Sequence, residues 1–413
     1  MKPTFTYALR YFVTATCVSP LRTGSNDGDQ QEVLRYWDCT PFLQGTSLAG
    51  AMKAWKPNEA LLGSESRESA LIVSDLVFAS SELASRPRLR VEGATGTAAQ
   101  GGKFDVSALP AGTTGRFQLT WKGTQAPNEA AEAIEEYLSA IHSGQITLGA
   151  QKSNGYGRVT LQVCKRVYDM TDSADRTAWL SGDDILDAAP ITLSDVTDSD
   201  TVFCVTAEVS NLLIKEAVTK QKDKGSYIAQ MQENGRFIVP GSSIKGVLRG
   251  QIDRIAPYFS AEDVPIHLLG RMSEEKDNGV AGKVRFSDGL LSNARRTVTT
   301  RVRIDRFTGG TMHRGLFSEE SVDGTLEFEI RVPAGCDAGC GLIAFALRDL
   351  GLGLIQLGSG NSIGRGRLEN MEVRIRSKER LAIMRCFDGR VTVEDPQNLI
   401  DTWQMRLNGR TDQ

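Results

Sequence analysis

Apolar and polar positions alternate over "TYALRYFVTATCV" (6–18) and again over "DTVFCVTAEVSNLLI" (200–214), the period of a strand with one buried face. After an irregular segment, each stretch leads through a glycine-containing turn into a run with helical spacing. These runs are "SLAGAMKAW" (47–55) and "SIKGVLRGQIDRIA" (243–256). Further strands follow, then a second helix, amphipathic in "PNEAAEAIEEYLSAIHS" and apolar nearly all round in "CGLIAFALRDLGLG". A glycine-rich loop and a last strand close each half. The order strand, helix, strands, helix, loop, strand is ferredoxin-like, so the pattern predicts an α+β chain of two tandem ferredoxin-like domains.

The two halves also share landmarks in register. "FLQGTSLAGAMKAW" (42–55) lies over "FIVPGSSIKGVLRG" (237–250), pairing Gly45 with Gly241, Ser47 with Ser243 and Lys53 with Arg249. "LLG" at 61–63 returns at 268–270, and Ser74-Asp75 returns as Ser287-Asp288. "RVEGATG" (90–96) parallels "RIDRFTG" (303–309), and "KSNGYGRV" (152–159) parallels "NSIGRGRL" (361–368). Five correspondences in one order predict duplicated domains at 1–185 and 200–413. The acidic, Ser/Asp-rich stretch 181–201 marks the boundary.

Composition narrows the function classes. With 413 residues, 40% of them hydrophobic, the chain can bury a large core. A formal charge of -3 excludes a uniformly basic nucleic-acid coat, so any polyanion site is local. Seven scattered cysteines, with only Cys336 and Cys340 close together, form no zinc pattern and predict reduced thiols in a cytoplasmic protein. The N-terminal twenty residues hold no long apolar core, which argues against a signal peptide or membrane span.

Local chemistry is visible in three places. Gly241 and Ser242 open a helix whose N-terminal amides suit phosphate, with Lys245 and Arg249 one turn apart. The spacing fails the nucleotide-binding pattern G-x-x-x-x-G-K-[ST], so ATP binding is unsupported. Helix capping by Ser243 is the competing reading. "GSGNSIGRGRL" lets backbone approach a partner, with Arg365 and Arg367 flanking a glycine, or serves as a structural turn. "ARRTVTTRVRIDRFTGGTMHRGLF" (294–317) carries Arg295, Arg296, Arg301, Arg303, Arg306 and Arg314 among β-branched residues. It predicts a basic hairpin that lies along a sugar-phosphate backbone, with Phe307 or Met312 wedged between bases.

Together "PGSSIKG", "FSDG", "IDRFTGG" with "GLF", and "GSGNSIGRGR" resemble the RAMP superfamily of CRISPR proteins, specifically backbone subunits of type III effector complexes. A single chain with two such units resembles the fused subunits of the type III-D kind. The first unit departs further: Gln44 stands for proline, Ala49 for lysine, and "VEGATGTAAQGGKF" is a degenerate thumb motif. The resemblance implies RRM-like palms with glycine-rich loops and β-hairpin thumbs. Its partners are guide (CRISPR) RNA, target RNA and other effector subunits, with no membrane. The RNA contacts it implies are Gly45, Thr46, Ser47, Lys53, Lys152 and Arg158 in the first unit. In the second they are Gly241, Ser242, Ser243, Lys245, Arg249, Arg301, Arg303, Arg306, Phe307, Met312, His313, Arg314, Arg365 and Arg367.

Members of this group often cut target RNA with an aspartate between the first strand and the glycine turn. Here Asp29 is best placed and Asp27 next, while Asp38 is structural; in the second unit Asp223 is the only aspartate of the loop. The implied chemistry is attack by a ribose 2′-hydroxyl, with Mg2+ or another divalent cation held by Asp29. Turn formation is the competing reading for Asp27 and Asp29. Two alternatives stay open: an inactive RNA scaffold, or a guide-processing endoribonuclease that uses His313. The repeated Ser-Asp pairs read as turns or caps.

Overall fold

The computed structural model describes residues 5–24, 33–92, 98–182, 187–194, 196, 199–222, 225–271 and 279–409. Two compact units emerge, mixed α+β and mostly antiparallel. One comprises Met1–Ala84, Ser107–Lys152 and Tyr156–Asp198, the other Ser85–Val106, Ser153–Gly155 and Ser199–Gln413.

In the first unit, β1 (Tyr7–Cys17) buries Leu9, Tyr11, Val13, Ala15 and Cys17, every second residue, as its alternation requires. Helix α1 (Gly45–Trp55) buries Leu48 and Met52, one turn apart. It ends where Pro57 forces Lys56 into an extended conformation. Short strands β2 (Leu71–Val73) and β3 (Leu76–Phe78) follow. A hairpin of β4 (Ala84–Val91) and β5 (Ala98–Ala108) interrupts the unit, mostly as part of the second one. Strand β6 (Thr114–Gly123), helix α2 (Asn128–His142) and β7 (Val159–Asp169) complete the pattern. Strand β1 lies centrally, antiparallel to β6 and β7, and β2 and β3 pair with the far edge of β6. Ile134, Leu138 and Ile141 of α2 join Leu48 and Met52 over the β1 residues in one core.

The second unit repeats the plan and extends it. Central β8 (Thr201–Leu212) is followed by β9 (Lys215–Lys222), β10 (Gly225–Gln230) and β11 (Arg236–Val239). Helix α3 (Gly241–Ile255) buries Ile244, Leu248 and Ile252, an i, i+4, i+8 stripe. Each of these side chains contributes roughly 1.5–3 kcal/mol by its burial. Strands β12 (Gly289–Ile304) and β13 (Thr311–Val332) form the long hairpin expected over the basic stretch. Helix α4 (Asp337–Gly351) is buried on most sides, as its largely apolar sequence demands. Strand β14 (Arg367–Ser377) pairs with β8 opposite β13. Two added strands, β15 (Arg380–Phe387) and β16 (Arg390–Glu394), and α5 (Leu399–Asn408) end the chain, with Trp403 against Phe203. All seven cysteines are unbridged.

Candidate nucleic-acid interface

The two glycine turns are built alike. The N–H of Gly241 donates to Asp288 Oδ1 at 2.8 Å, and that of Gly45 to Asp75 Oδ1 at 2.7 Å. Neither helix has a side-chain cap from its own turn, so the Ser-Asp motifs supply it from 47 and 30 residues away. The serine of each motif fixes that carboxylate by standing in for a ladder residue. Ser74 Oγ accepts the Gln118 amide and Ser287 Oγ the Glu329 amide, each at 2.8 Å. A Cβ at Gly45 would lie 2.2 Å from the Val73 carbonyl oxygen, and one at Gly241 2.4 Å from that of Phe286. These glycines are therefore required by close packing against the Ser-Asp turn.

This corrects the phosphate seat expected from the sequence. The amides of Gly45 and Gly241 are already taken by carboxylates, and Ser243 does not cap its helix. What stays open is the row of hydroxyls behind them. Among the described residues, the hydroxyls of Thr46, Ser47, Ser242 and Ser243 have no intramolecular hydrogen-bond partner, with Thr46 and Ser47 exposed.

The second unit's turn carries a further charge layer. Arg86, from β4, is 3% exposed and grips Asp288 with both ends of its guanidinium, Nη1 to Oδ1 at 3.0 Å and Nη2 to Oδ2 at 2.8 Å. It also pairs with Glu233. In the first unit the corresponding second oxygen, Asp75 Oδ2, accepts the Tyr36 hydroxyl at 2.6 Å. Lys245 donates to Ser153 Oγ at 3.0 Å, and burial, with Arg249 and Arg88 nearby, pushes its pKa down to about 8.

The hairpin β12–β13 ends in a turn that Asp305 organises. Its Oδ1 accepts the amides of Phe307 at 2.8 Å and Thr308 at 3.0 Å, which hold the carboxyl below its ordinary value. Phe307 at the tip is wholly exposed. Arg303 lies over the Phe317 ring, 5.5 Å from its centre. Among the described residues, Arg295, Arg296, Arg301, Arg303 and Arg306 have no carboxylate partner.

Compared with families of known proteins, the sequence matches the RAMP superfamily twice, over residues 14–160 and 224–369. The chain belongs to the RAMP superfamily. RAMP proteins are associated with CRISPR effector complexes, which makes CRISPR RNA and complex partners the expected company of this chain. No curated protein matches it significantly.

Other residues expected to touch RNA sort by repeat symmetry. Lys53 donates to the Gly63 carbonyl at 3.0 Å, and Arg249 to that of Gly270 at 2.7 Å. Both RAMP repeats thus use this position to brace the helix against the LLG turn. Arg158 and Arg367 lie against Gly144 and Gly353, the left-handed glycines after the second helices. Gly157 and Gly366 pack so tightly that a Cβ would fall 1.9 Å and 1.8 Å from the Leu148 and Leu357 carbonyl oxygens. Arg365, expected among the RNA contacts, does not face outward. It is 3% exposed and pairs with Glu319 at 2.8 Å. Its counterpart Tyr156 is buried too.

Lys152, Arg306, Met312 and His313 are exposed, and Arg301 is half-buried. Asp27, Asp29 and Asp223 lie outside the described residues, as does the side chain of Arg314. Among the described residues no group of three or more His, Cys, Asp or Glu is placed to hold a metal ion, and no helix is long and apolar enough to cross a membrane. Sequence reasoning missed Arg86 and Arg88, since the first thumb motif reads as degenerate; the hairpin is nevertheless present. The three arginines Arg86, Arg88 and Arg90 at alternate positions were the available signal.

Proposed function

We propose that the chain is a tandem RAMP backbone subunit of a type III CRISPR effector complex, of the III-D kind, whose two ferredoxin-like palms hold a guide RNA. The strand orders β3–β6–β1–β7 and β11–β12–β13–β8–β14 support such palms. The observation that carries the reading is the β12–β13 hairpin: five arginines without carboxylate partners, on a chain of net charge -3, ending in an exposed phenylalanine. Concentrated cations and an aromatic tip match a sugar-phosphate track with displaceable bases. Base pairing between guide and target then reads sequence, while the protein holds backbone and shape.

Cutting of the target is assigned to Asp29, with Asp27 beside it and Asp223 as the second repeat's candidate. Carboxylate oxygens are the hard donors that Mg2+ takes, and a cation held by Asp29 would supply charge neutralisation as the ribose 2′-hydroxyl attacks the adjacent phosphorus and the 5′-oxygen of the next nucleotide leaves. The hairpin's part is to break the regular duplex, which otherwise forbids in-line attack. With the assembled complex, complementary RNA and Mg2+, Asp29→Ala is expected to abolish at least one cut and spare guide binding. Persistence of every wild-type cut would sink the Asp29 assignment. Absence of cutting by the wild-type complex favours a scaffolding role.

Lys245 gives a pH signature. Its folded pKa near 8 lies below the ordinary lysine value. The ammonium is therefore intact below pH 8 and lost above it, and Arg249, Arg88 and Ser153 are the groups facing it. RNA affinity is expected to fall between roughly pH 7 and pH 9, with Lys245→Arg flattening the profile. A wild-type profile identical to that of Lys245→Arg rules out a phosphate at Lys245.

A further inference from the structure

Residues 33–41 form a braced turn that carries Trp37. Tyr36 N–H donates to Thr40 O and Cys39 N–H to Tyr36 O, both at 3.0 Å, and Cys39 adopts φ 66°. Arg35 Nη1 donates to Cys39 O at 2.7 Å, and Asp38 Oδ1 accepts the Thr40 amide at 3.0 Å. The Tyr36 ring stacks on Phe42, 4.0 Å between centres and 4° from parallel. Its hydroxyl, pushed up to about 12 by burial and by Asp75, stays a donor to Asp75 Oδ2. The other oxygen of that carboxylate holds the Gly45 amide. Trp37 is thus tied, through one side chain and one carboxylate, to the start of α1 and the open hydroxyls of Thr46 and Ser47.

Against this rigidity stands its exposure. Trp37 is 96% exposed, whereas the other four tryptophans are buried or half-buried. With the turn's backbone braced and the indole 96% exposed, both ring faces lie in water at a cost that a stacked partner removes. Beside hydroxyls able to donate to phosphate, the fitting partner is an unpaired nucleobase, since every base offers a π-face. We propose that Trp37 is a stacking platform for one base of the RNA bound at the first glycine turn. This rests on the RNA-binding reading above.

The test is fluorescence anisotropy of the full chain with a fluorescein-labelled single-stranded RNA. Trp37→Ala is expected to weaken binding by roughly 5- to 150-fold, the range for losing one base–aromatic stack, without changing the salt slope. Trp37→Phe should keep most of the affinity. Because the side chain is exposed, both variants should melt like wild type. Iodide quenching of Trp37 should fall when RNA binds, and this protection should be absent in Trp37→Phe. Wild-type affinity in Trp37→Ala, or an equal loss in Trp37→Phe, overturns the stacking proposal. The Arg301→Ala/Arg303→Ala variant separates the outcomes: weakened binding there leaves the RNA reading standing, and unchanged binding in both variants removes it.

Discussion

Arg86→Ala is expected to destabilise the second unit by about 3–5 kcal/mol, the usual cost of removing one partner from a buried ion pair. The substitution leaves Asp288 and Glu233, each nearly buried, without the cation they share. For domains of 150–250 residues this corresponds to a fall of roughly 6–20 °C in that unit's Tm. Arg86→Lys should lie between, because it keeps the charge and loses the two-pronged grip on Asp288. Asp288→Ala removes both the pair and the Gly241 cap, so the two losses should be non-additive in the double variant. Calorimetry of these four variants beside wild type is the check. A melting temperature for Arg86→Ala within a degree or so of wild type would show that the pair contributes nothing net.

Replacing Arg301 and Arg303 together by alanine is expected to weaken single-stranded RNA binding by on the order of tenfold or more at low salt. If both arginines meet phosphates, the slope of log K against log salt should become shallower by about 1.4, two contacts at roughly 0.7 each. Arg303 is held over Phe317, so less freedom is lost when it meets an oxygen. Arg301 is half-buried and Arg303 rests on Phe317, but neither has a carboxylate partner among the described residues, so stability should fall by no more than about 1 kcal/mol. An unchanged slope in titrations from low to physiological salt would place the RNA elsewhere.

Much of the architecture was legible because it is local. Alternation marked β1 and β8, helical spacing marked α1 and α3, and β-branched residues between arginines marked the β12–β13 hairpin. The duplication was legible because a Cβ at Gly157 or Gly366 would fall within 2 Å of a carbonyl oxygen, so only glycine fits there and the pair stands out when the halves are aligned. The site was less readable, because its decisive contacts are tertiary. Nothing near Gly241 announces that Asp288 takes its amide, nor near Arg365 that Glu319 neutralises it from 46 residues away. In the sequence Asp75 and Asp288 are turn or cap residues, and only the folded chain shows which helices they cap. The Arg86–Asp288 pair spans 202 residues, beyond any pattern-based inference.

The second unit takes Ser85–Val106 from the first half of the sequence. Its buried arginine is therefore supplied in cis, at an effective concentration fixed by the chain and independent of how much protein the cell makes. Severing the polypeptide between 182 and 199 would turn that tethered fit into an ordinary bimolecular association, sensitive to dilution. Residues 199–413 alone would keep Asp288 and Glu233 but lose Arg86. Having both RAMP repeats in one gene thus guarantees a one-to-one supply of parts that two separate subunits would have to find by collision.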